Sequence, residues 1–77
     1  MKIKINDLYK SKNSLTAYLG AGTMFIADKD ELFVVDYIDM HLNRVVFKRK
    51  IPKYHDYRDT LSIEFDLIDK VLELVKE

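Results

Sequence analysis

The chain of 77 residues has no cysteine, no tryptophan, one proline and two glycines. Without cysteine there is no disulfide, no catalytic thiolate and no cysteine-ligated zinc. Small secreted domains usually depend on such cross-links, so we expect a cytoplasmic protein. No apolar run approaches the roughly 20 residues that a membrane-spanning helix requires, and no membrane partner is expected.

The composition is that of a globular chain rather than a disordered one. Apolar residues make up 48% of the sequence and charged residues 34%, which is enough apolar content to build a core. The length suits one domain, which we assign to residues 1–77, and is too short for a second core.

The segment that organises the predicted fold is Leu32–Ile51, in which two β-strands, 32–39 and 44–51, are joined by a turn. β-Branched and aromatic residues dominate both strands, and Asn43 tolerates the left-handed backbone of a hairpin turn. The first strand is apolar on both sides, which is typical of a central strand. The second strand alternates, with Val45, Phe47 and Ile51 on one side and Arg44, Val46, Lys48 and Lys50 on the other.

Three further strands are predicted before this hairpin. Alternation predicts strands at 2–5 and 15–19, and a short apolar run predicts another at 23–27. Between the first two, a single helical turn through Leu8 and a polar loop are expected. The glycines on either side of Ala21 lack the third glycine and the following helix of a phosphate-binding loop, so they indicate a bulge or corner in the sheet.

Residues 60–76 are predicted to form an amphipathic helix, because a helical projection separates a polar sector from a wide apolar arc. Residues 61–66 also alternate strictly, so the alternative is a strand at 60–65 followed by a helix that begins at Asp66. The apolar arc exceeds what one small sheet needs, and either a curled sheet or a second copy of the chain would cover the excess. The candidate homodimer face consists of Leu61, Phe65, Ile68, Leu72 and Val75.

Together these elements predict an α+β fold. A small, strongly bent antiparallel sheet of four to five short strands, compatible with a partly closed barrel, would pack against one C-terminal amphipathic helix. Because the central strand is apolar on both sides, the sheet is expected to be covered on both faces or to curl on itself.

The net charge is zero, but the charges are segregated along the chain. Residues 28–39 and 59–77 are acidic, whereas residues 1–12 and 44–58 are basic. The second basic segment interleaves cations with aromatic residues, a composition that can bind a phosphate backbone and stack bases. It would equally suit a protein contact, or a strand edge whose charge the acidic segments neutralise. The candidate contact residues are Arg44, Lys48, Arg49, Lys50, Lys53, Tyr54, Tyr57 and Arg58.

No catalytic, cofactor or metal site is predicted, because His41 and His55 lie on different loops and no serine has the flanking glycines of a nucleophile elbow. We therefore expect a non-enzymatic protein-interaction domain that binds another intracellular protein, with nucleic-acid binding through residues 44–58 as the alternative. Frequent Lys, Ile, Asn and Asp suggest an AT-rich bacterial or phage genome. The resulting hypothesis is a phage or mobile-element regulator that inhibits a host nucleic-acid-handling protein, with an acidic surface competing for its DNA groove.

Overall fold

The computed structural model describes residues 3–20 and 22–75, and it confirms a small α+β fold. Within those residues the chain forms strands, one 3₁₀ turn at Tyr57–Asp59 and one helix, α1, at Phe65–Val71. The strands are β1 (Leu8–Ser11), β2 (Leu15–Gly20), β3 (Thr23–Ala27), β4 (Leu32–Asp39), β5 (Arg44–Arg49), β6 (Thr60–Glu64) and β7 (Leu72–Leu74). No helix in this part of the chain is long and apolar enough to cross a membrane.

The main sheet has the strand order β6-β5-β4-β1-β7, with every neighbouring pair antiparallel. It curls into a half-barrel, as the apolar character of β4 on both sides suggested. A register shift between Val35 and Tyr37 places a bulge in β4, and such bulges bend a strand and increase its twist. β2 and β3 form a separate two-stranded sheet.

The core lies inside the half-barrel and is built from alternate residues of its strands together with α1. Two aromatic pairs pack inside it. The rings of Tyr9 and Phe47 meet edge-on with 5.3 Å between their centroids, and the ring centroids of Phe25 and Phe33 lie 5.8 Å apart. Phe25 belongs to β3, so the separate hairpin packs its inner face onto the same core. The buried apolar residues are Tyr9, Phe25, Ala27, Phe33, Val35, Val45, Phe47, Leu61, Ile63, Ile68 and Leu72.

The predicted continuous helix at 60–76 is wrong, and residues 60–74 form a strand, a short helix and a second strand. Residues 60–64 pair with residues 44–48 of β5, so the strictly alternating segment forms the edge strand of the main sheet. The strand alternative was therefore right here, although α1 begins at Phe65 rather than Asp66. The following strand, β7, pairs with β1 and was not foreseen.

The candidate homodimer face does not exist as an exposed helix surface. Leu61 on β6, Ile68 on α1 and Leu72 on β7 are all buried in the core of a single chain, and Phe65 and Val75 are half-buried. The wide apolar arc seen in helical projection was the sum of three elements, each of which buries one side.

The first strand of the chain also differs from its prediction. Residues 3–5 are not in a strand, and Lys2 lies outside the described residues. The strand is β1, at residues expected to form a helical turn and a loop, and it directs Tyr9 and Ser11 into the core. Asn6, which has a positive φ of 74°, reverses the chain just before it. The predicted strand at 44–51 is two residues too long, because β5 ends at Arg49.

We expect Ile68→Ala in α1 to lower the free energy of unfolding by about 2–5 kcal/mol, because it empties a fully buried site. The neighbouring Leu67 is 42% exposed, so Leu67→Ala should cost less than about 1 kcal/mol. Urea unfolding followed by circular dichroism measures both, and Ile68→Val gives a milder variant, at about 0.5–1.5 kcal/mol, if the alanine form does not fold. Equal losses at 67 and 68 would contradict the orientation of α1.

Candidate functional site

The predicted basic surface is interrupted by Arg49, whose side chain faces the core and is only 3% exposed. The alternation that directs Val45 and Phe47 inward also directs Arg49 inward, since all three share one side of β5. Arg49 therefore cannot contact a partner, contrary to its inclusion among the contact residues. Ile51, which was expected on the inner side, is exposed because the strand has already ended.

Arg49 instead joins four parts of the chain. Its guanidinium lies 4.2 Å from the centroid of the Phe25 ring, and Nη2 donates a hydrogen bond of 2.9 Å to the carbonyl of Ile26 on β3. Nη1 donates to the carboxylate of Glu31, just before β4. Nε lies 3.3 Å from Oδ1 of Asp59, close enough for ionic attraction but without an aligned hydrogen bond. A buried cation is tolerated only with partners of this kind.

Asp59 is the second buried charge of this cluster, and it anchors the loop that follows β5. Its carboxylate accepts hydrogen bonds from three consecutive backbone N–H groups, those of Lys53 at 3.0 Å, Tyr54 at 3.1 Å and His55 at 2.7 Å. Burial alone would raise the pKa of Asp59, but these donors and the Arg49 charge outweigh it and lower the pKa below the ordinary value of 3.8.

Three other cations of the predicted surface are each paired with a carboxylate. The pairs are Arg44–Glu64 at 3.3 Å, Lys48–Asp36 at 3.5 Å and Arg58–Asp56 at 2.7 Å. The hydrogen bonds from Arg58 lower the pKa of Asp56. Two of these pairs join the basic segment to an acidic one, so folding neutralises much of the charge segregation seen in the sequence. Exposed pairs of this type add little stability, but they leave a less positive surface.

The remaining residues of the basic segment are exposed on the loop that follows β5 and on the 3₁₀ turn. Lys50 and Lys53 have no ion pair among the described residues. Tyr54 and Tyr57 are more than half exposed, although the guanidinium of Arg58 lies 4.4 Å from the ring centroid of Tyr54 and covers one of its faces. Tyr57 belongs to the 3₁₀ turn, which lies against β3.

A different surface, the outer face of the β2–β3 hairpin, exposes large apolar side chains. Tyr18 is 71% exposed, Met24 55% and Ile26 58%. They lie on adjacent strands, with Tyr18 directly opposite Met24 and Thr16 directly opposite Ile26. These four residues form one continuous patch, which we call the hairpin face.

The hairpin face also lacks charge. Charged residues make up 34% of the chain, yet none lies between Lys12 and Asp28. Depletion of charge together with exposed aromatic and methionine side chains is the signature of the centre of a protein–protein interface. Since isolated exposed apolar residues are ordinary on any surface, the significance lies in their being neighbours on one uncharged sheet face.

The sequence carries only part of the signal for this surface. Residues 23–27 were predicted as a strand, and that strand is apolar on both sides: Phe25 and Ala27 face inward while Met24 and Ile26 face outward. In a central strand both sides are covered, but β3 belongs to a two-stranded sheet with one open face. In the sequence Met24 and Ile26 resemble core residues. They are exposed because of the position of their strand in the fold, which the sequence does not reveal.

The described residues contain no group of three or more His, Asp or Glu side chains that could hold a metal ion. His41 lies on the β4–β5 turn, where the Asp39 carboxylate accepts hydrogen bonds from the backbone N–H groups of His41 and Leu42. His55 is on the loop anchored by Asp59, so the two histidines belong to different loops.

Comparison of the chain with protein-family models, curated proteins and solved structures finds no match.

We expect Arg49→Met to lower the free energy of unfolding by about 3–5 kcal/mol, because it leaves two carboxylates without their buried cation. The matched control is Lys48→Met, which removes the neighbouring cation from the opposite, exposed side of β5 and should change stability by less than about 1 kcal/mol. Chemical denaturation of both variants measures the difference. Similar small losses would mean that Arg49 is not a structural residue.

The lowered pKa of Asp59 predicts acid sensitivity. Its ionised form stabilises the fold fully above the ordinary pKa of 3.8, and that contribution is lost as the pH falls through the lower pKa of the folded state. We expect the free energy of unfolding of the wild type to decrease more steeply between about pH 4 and pH 2 than that of Asp59→Asn. Urea titrations over this range test it, and parallel curves for the two proteins would contradict it.

Proposed function

We propose that this chain is a small, non-catalytic protein-interaction domain that binds its partner through the hairpin face. The observation that supports this proposal is the grouping of Tyr18, Met24 and Ile26, each more than half exposed, on one uncharged sheet face. Contiguous apolar patches of this kind on a small domain commonly mark a binding surface. Tyrosine and methionine are also among the residue types enriched at interfaces.

The neighbouring 3₁₀ turn supplies a second aromatic contact. Tyr57 is exposed, and the 3₁₀ turn to which it belongs lies against β3. We therefore propose that Tyr57, of the residues singled out in the basic segment, extends the surface of the hairpin face. Lys53 and Lys50, on the preceding loop, would form part of a polar rim, as interfaces usually have.

Several further parts of the functional hypothesis stay predictions. The absence of cysteine supports an intracellular, cytoplasmic location. The idea of a phage or mobile-element regulator, directed at a host nucleic-acid-handling protein, rests on composition alone. Its acidic competing surface gains no support from the fold, because Glu31, Asp36 and Glu73 each pair with a cation of the same chain.

Nucleic-acid binding through residues 44–58 is the weaker candidate. It would have to proceed without Arg49, and Arg44, Lys48 and Arg58 would each have to leave a carboxylate partner. Lys50 and Lys53 are the two cations of the segment that remain without an ion pair in the described part of the chain. Two phosphate contacts would give weak binding with a shallow salt dependence.

The hairpin face is tested by replacing Tyr18, Met24 and Ile26 together with threonine, which keeps the preference for a strand but removes the apolar surface. The matched control replaces Met40 and Leu42, which are equally exposed on the β4–β5 turn. Tagged forms of the wild type and both variants are used to capture proteins from lysate of the source cells, and each captured protein is purified for calorimetry. We expect a partner that binds the wild type and the control equally and the hairpin variant at least about tenfold more weakly.

Circular dichroism establishes that both variants are folded before the comparison is made. The proposal fails if the folded hairpin variant retains every partner of the wild type. It also fails if the control variant at the β4–β5 turn is the one that loses binding.

A further inference from the structure

The outer edge of β2 is an open strand edge. β2 has one neighbour, β3, and within residues 3–20 and 22–75 no backbone hydrogen bond joins residues 15–19 to any other strand. The carbonyl of Ile26 faces Arg49, away from β2, and Ile26 lies opposite Thr16. Because the direction of backbone groups alternates along an antiparallel ladder, Thr16 and Tyr18 direct their N–H and C=O groups toward the open edge.

The other strand edges of the described chain are guarded. The outer side of β3 meets the side chain of Arg49, which binds the Ile26 carbonyl. β7 is three residues long and carries the Lys10–Glu73 ion pair, and on β6 the Ser62 carbonyl accepts a hydrogen bond from Arg44. Short strands, charges and bound side chains are the usual protections of an edge. β2 contains no charged residue and no proline, and its irregularity is confined to the bulge between Tyr18 and Gly20 at the end of the strand.

The inner side of β2 is also incompletely covered. Phe25 and Ala27 of β3 are 1% exposed, whereas Leu15, Ala17 and Leu19 of β2 are half-buried. These three side chains pack against the core but are not fully covered, so a strand added at the β2 edge could place further apolar side chains beside the two leucines.

We propose that β2 pairs antiparallel with β2 of a second copy of the chain, with the two-fold axis at Ala17. In this register Thr16 of each copy lies opposite Tyr18 of the other. The outward-facing N–H and C=O groups of these residues then form about four hydrogen bonds between the two copies. Ala17 meets its own copy on the axis, where the two backbones are closest and a small side chain is needed. Leu15 lies opposite Leu19 of the second copy, so both half-buried leucines become covered.

A second copy is the occupant that this edge fits. The pairing is self-complementary, so it closes on itself and leaves no further open edge at β2. No charged residue lies in residues 13–27 and the chain has zero net charge, so neither local nor overall repulsion opposes the approach of two copies.

The pairing joins the two hairpins into one four-stranded sheet, β3-β2-β2-β3. The hairpin faces of both copies then lie on the same side of that sheet and form one surface of twice the area. Dimerisation does not require the partner-binding role proposed above, because it uses backbone groups and the inner side chains rather than the outer face. The contact is small compared with the roughly 800 Å² per partner of stable complexes, so the dimer should dissociate at micromolar rather than nanomolar concentrations.

Sedimentation equilibrium tests the dimer directly. We expect the wild-type mass to rise with concentration from 9.1 kDa toward twice that value. Thr16→Pro removes an edge N–H that makes no bond to β3 and should keep the protein monomeric, whereas Thr16→Val retains the N–H and should dimerise as the wild type does. The triple threonine variant of Tyr18, Met24 and Ile26 should also dimerise, which separates this surface from the partner-binding one.

Cross-linking gives a second measurement that does not depend on the folding of the proline variant. The chain has no cysteine, so Ala17→Cys introduces a single thiol at the axis. There the Cα atoms of the two copies would lie about 4.5 Å apart, within the range that a disulfide bridges. Mild oxidation should form a covalent dimer of Ala17→Cys at least about tenfold faster than of the control Met40→Cys, whose thiol lies on the exposed β4–β5 turn.

The proposal is overturned if the wild type remains at 9.1 kDa up to about 1 mM. It is also overturned if Ala17→Cys is cross-linked no faster than Met40→Cys. A dimer that persists unchanged in folded Thr16→Pro would mean that a different surface holds the copies together.

Discussion

The fold depends on one buried cation. Arg49 is the point at which β3, the segment before β4, the end of β5 and the 3₁₀ turn are held together, through an aromatic ring, a carbonyl and two carboxylates. A chain of this length buries a modest share of its surface and has little core to spare. A charged group in such a core stabilises the fold only while its partners are in place, and leaving it unpaired would cost several kilocalories per mole. Arg49 thus favours one way of packing the β2–β3 hairpin onto the main sheet.

Ion pairs between neighbouring strands explain why the basic and acidic segments of the sequence gave an ambiguous functional signal. Residues 44–58 are basic and residues 28–39 and 59–77 are acidic, and the antiparallel sheet places parts of these segments side by side. Arg44 meets Glu64 across β5 and β6, and Lys48 meets Asp36 from β4. The segregation of charge along the chain is therefore largely explained by the sheet, in which oppositely charged segments are neighbours. What stands out after folding is the opposite property, a stretch without charge.

Much of the fold could be predicted from local patterns. Residues 23–27 and 32–39 form strands with the predicted bounds, and the α+β class with a curled antiparallel sheet is confirmed. The errors lie where one pattern fits two structures. Residues 61–66 satisfy both a helical arc and a strand alternation, and the free edge of β5, which is a property of the whole sheet, decides between them. Arg49 points inward because it follows the same alternation along β5 as Phe47. Its charge nevertheless suggested an exposed position. The hairpin face could not be predicted, because it depends on which strand has an uncovered side.

The pairing of β1 with β7 sets the order in which the molecule can be completed. Tyr9 lies opposite Leu74, so the first and the last strand of the described residues are neighbours in the sheet. β1 also pairs with β4, and the main sheet can begin to assemble from those two strands and β5. The pairing of β7, and the covering of the core by Ile68 and Leu72, bring together segments that are far apart in the sequence. Until that pairing forms, the uncharged hairpin and the incomplete core are exposed together, and nonlocal closure of this kind makes folding slow.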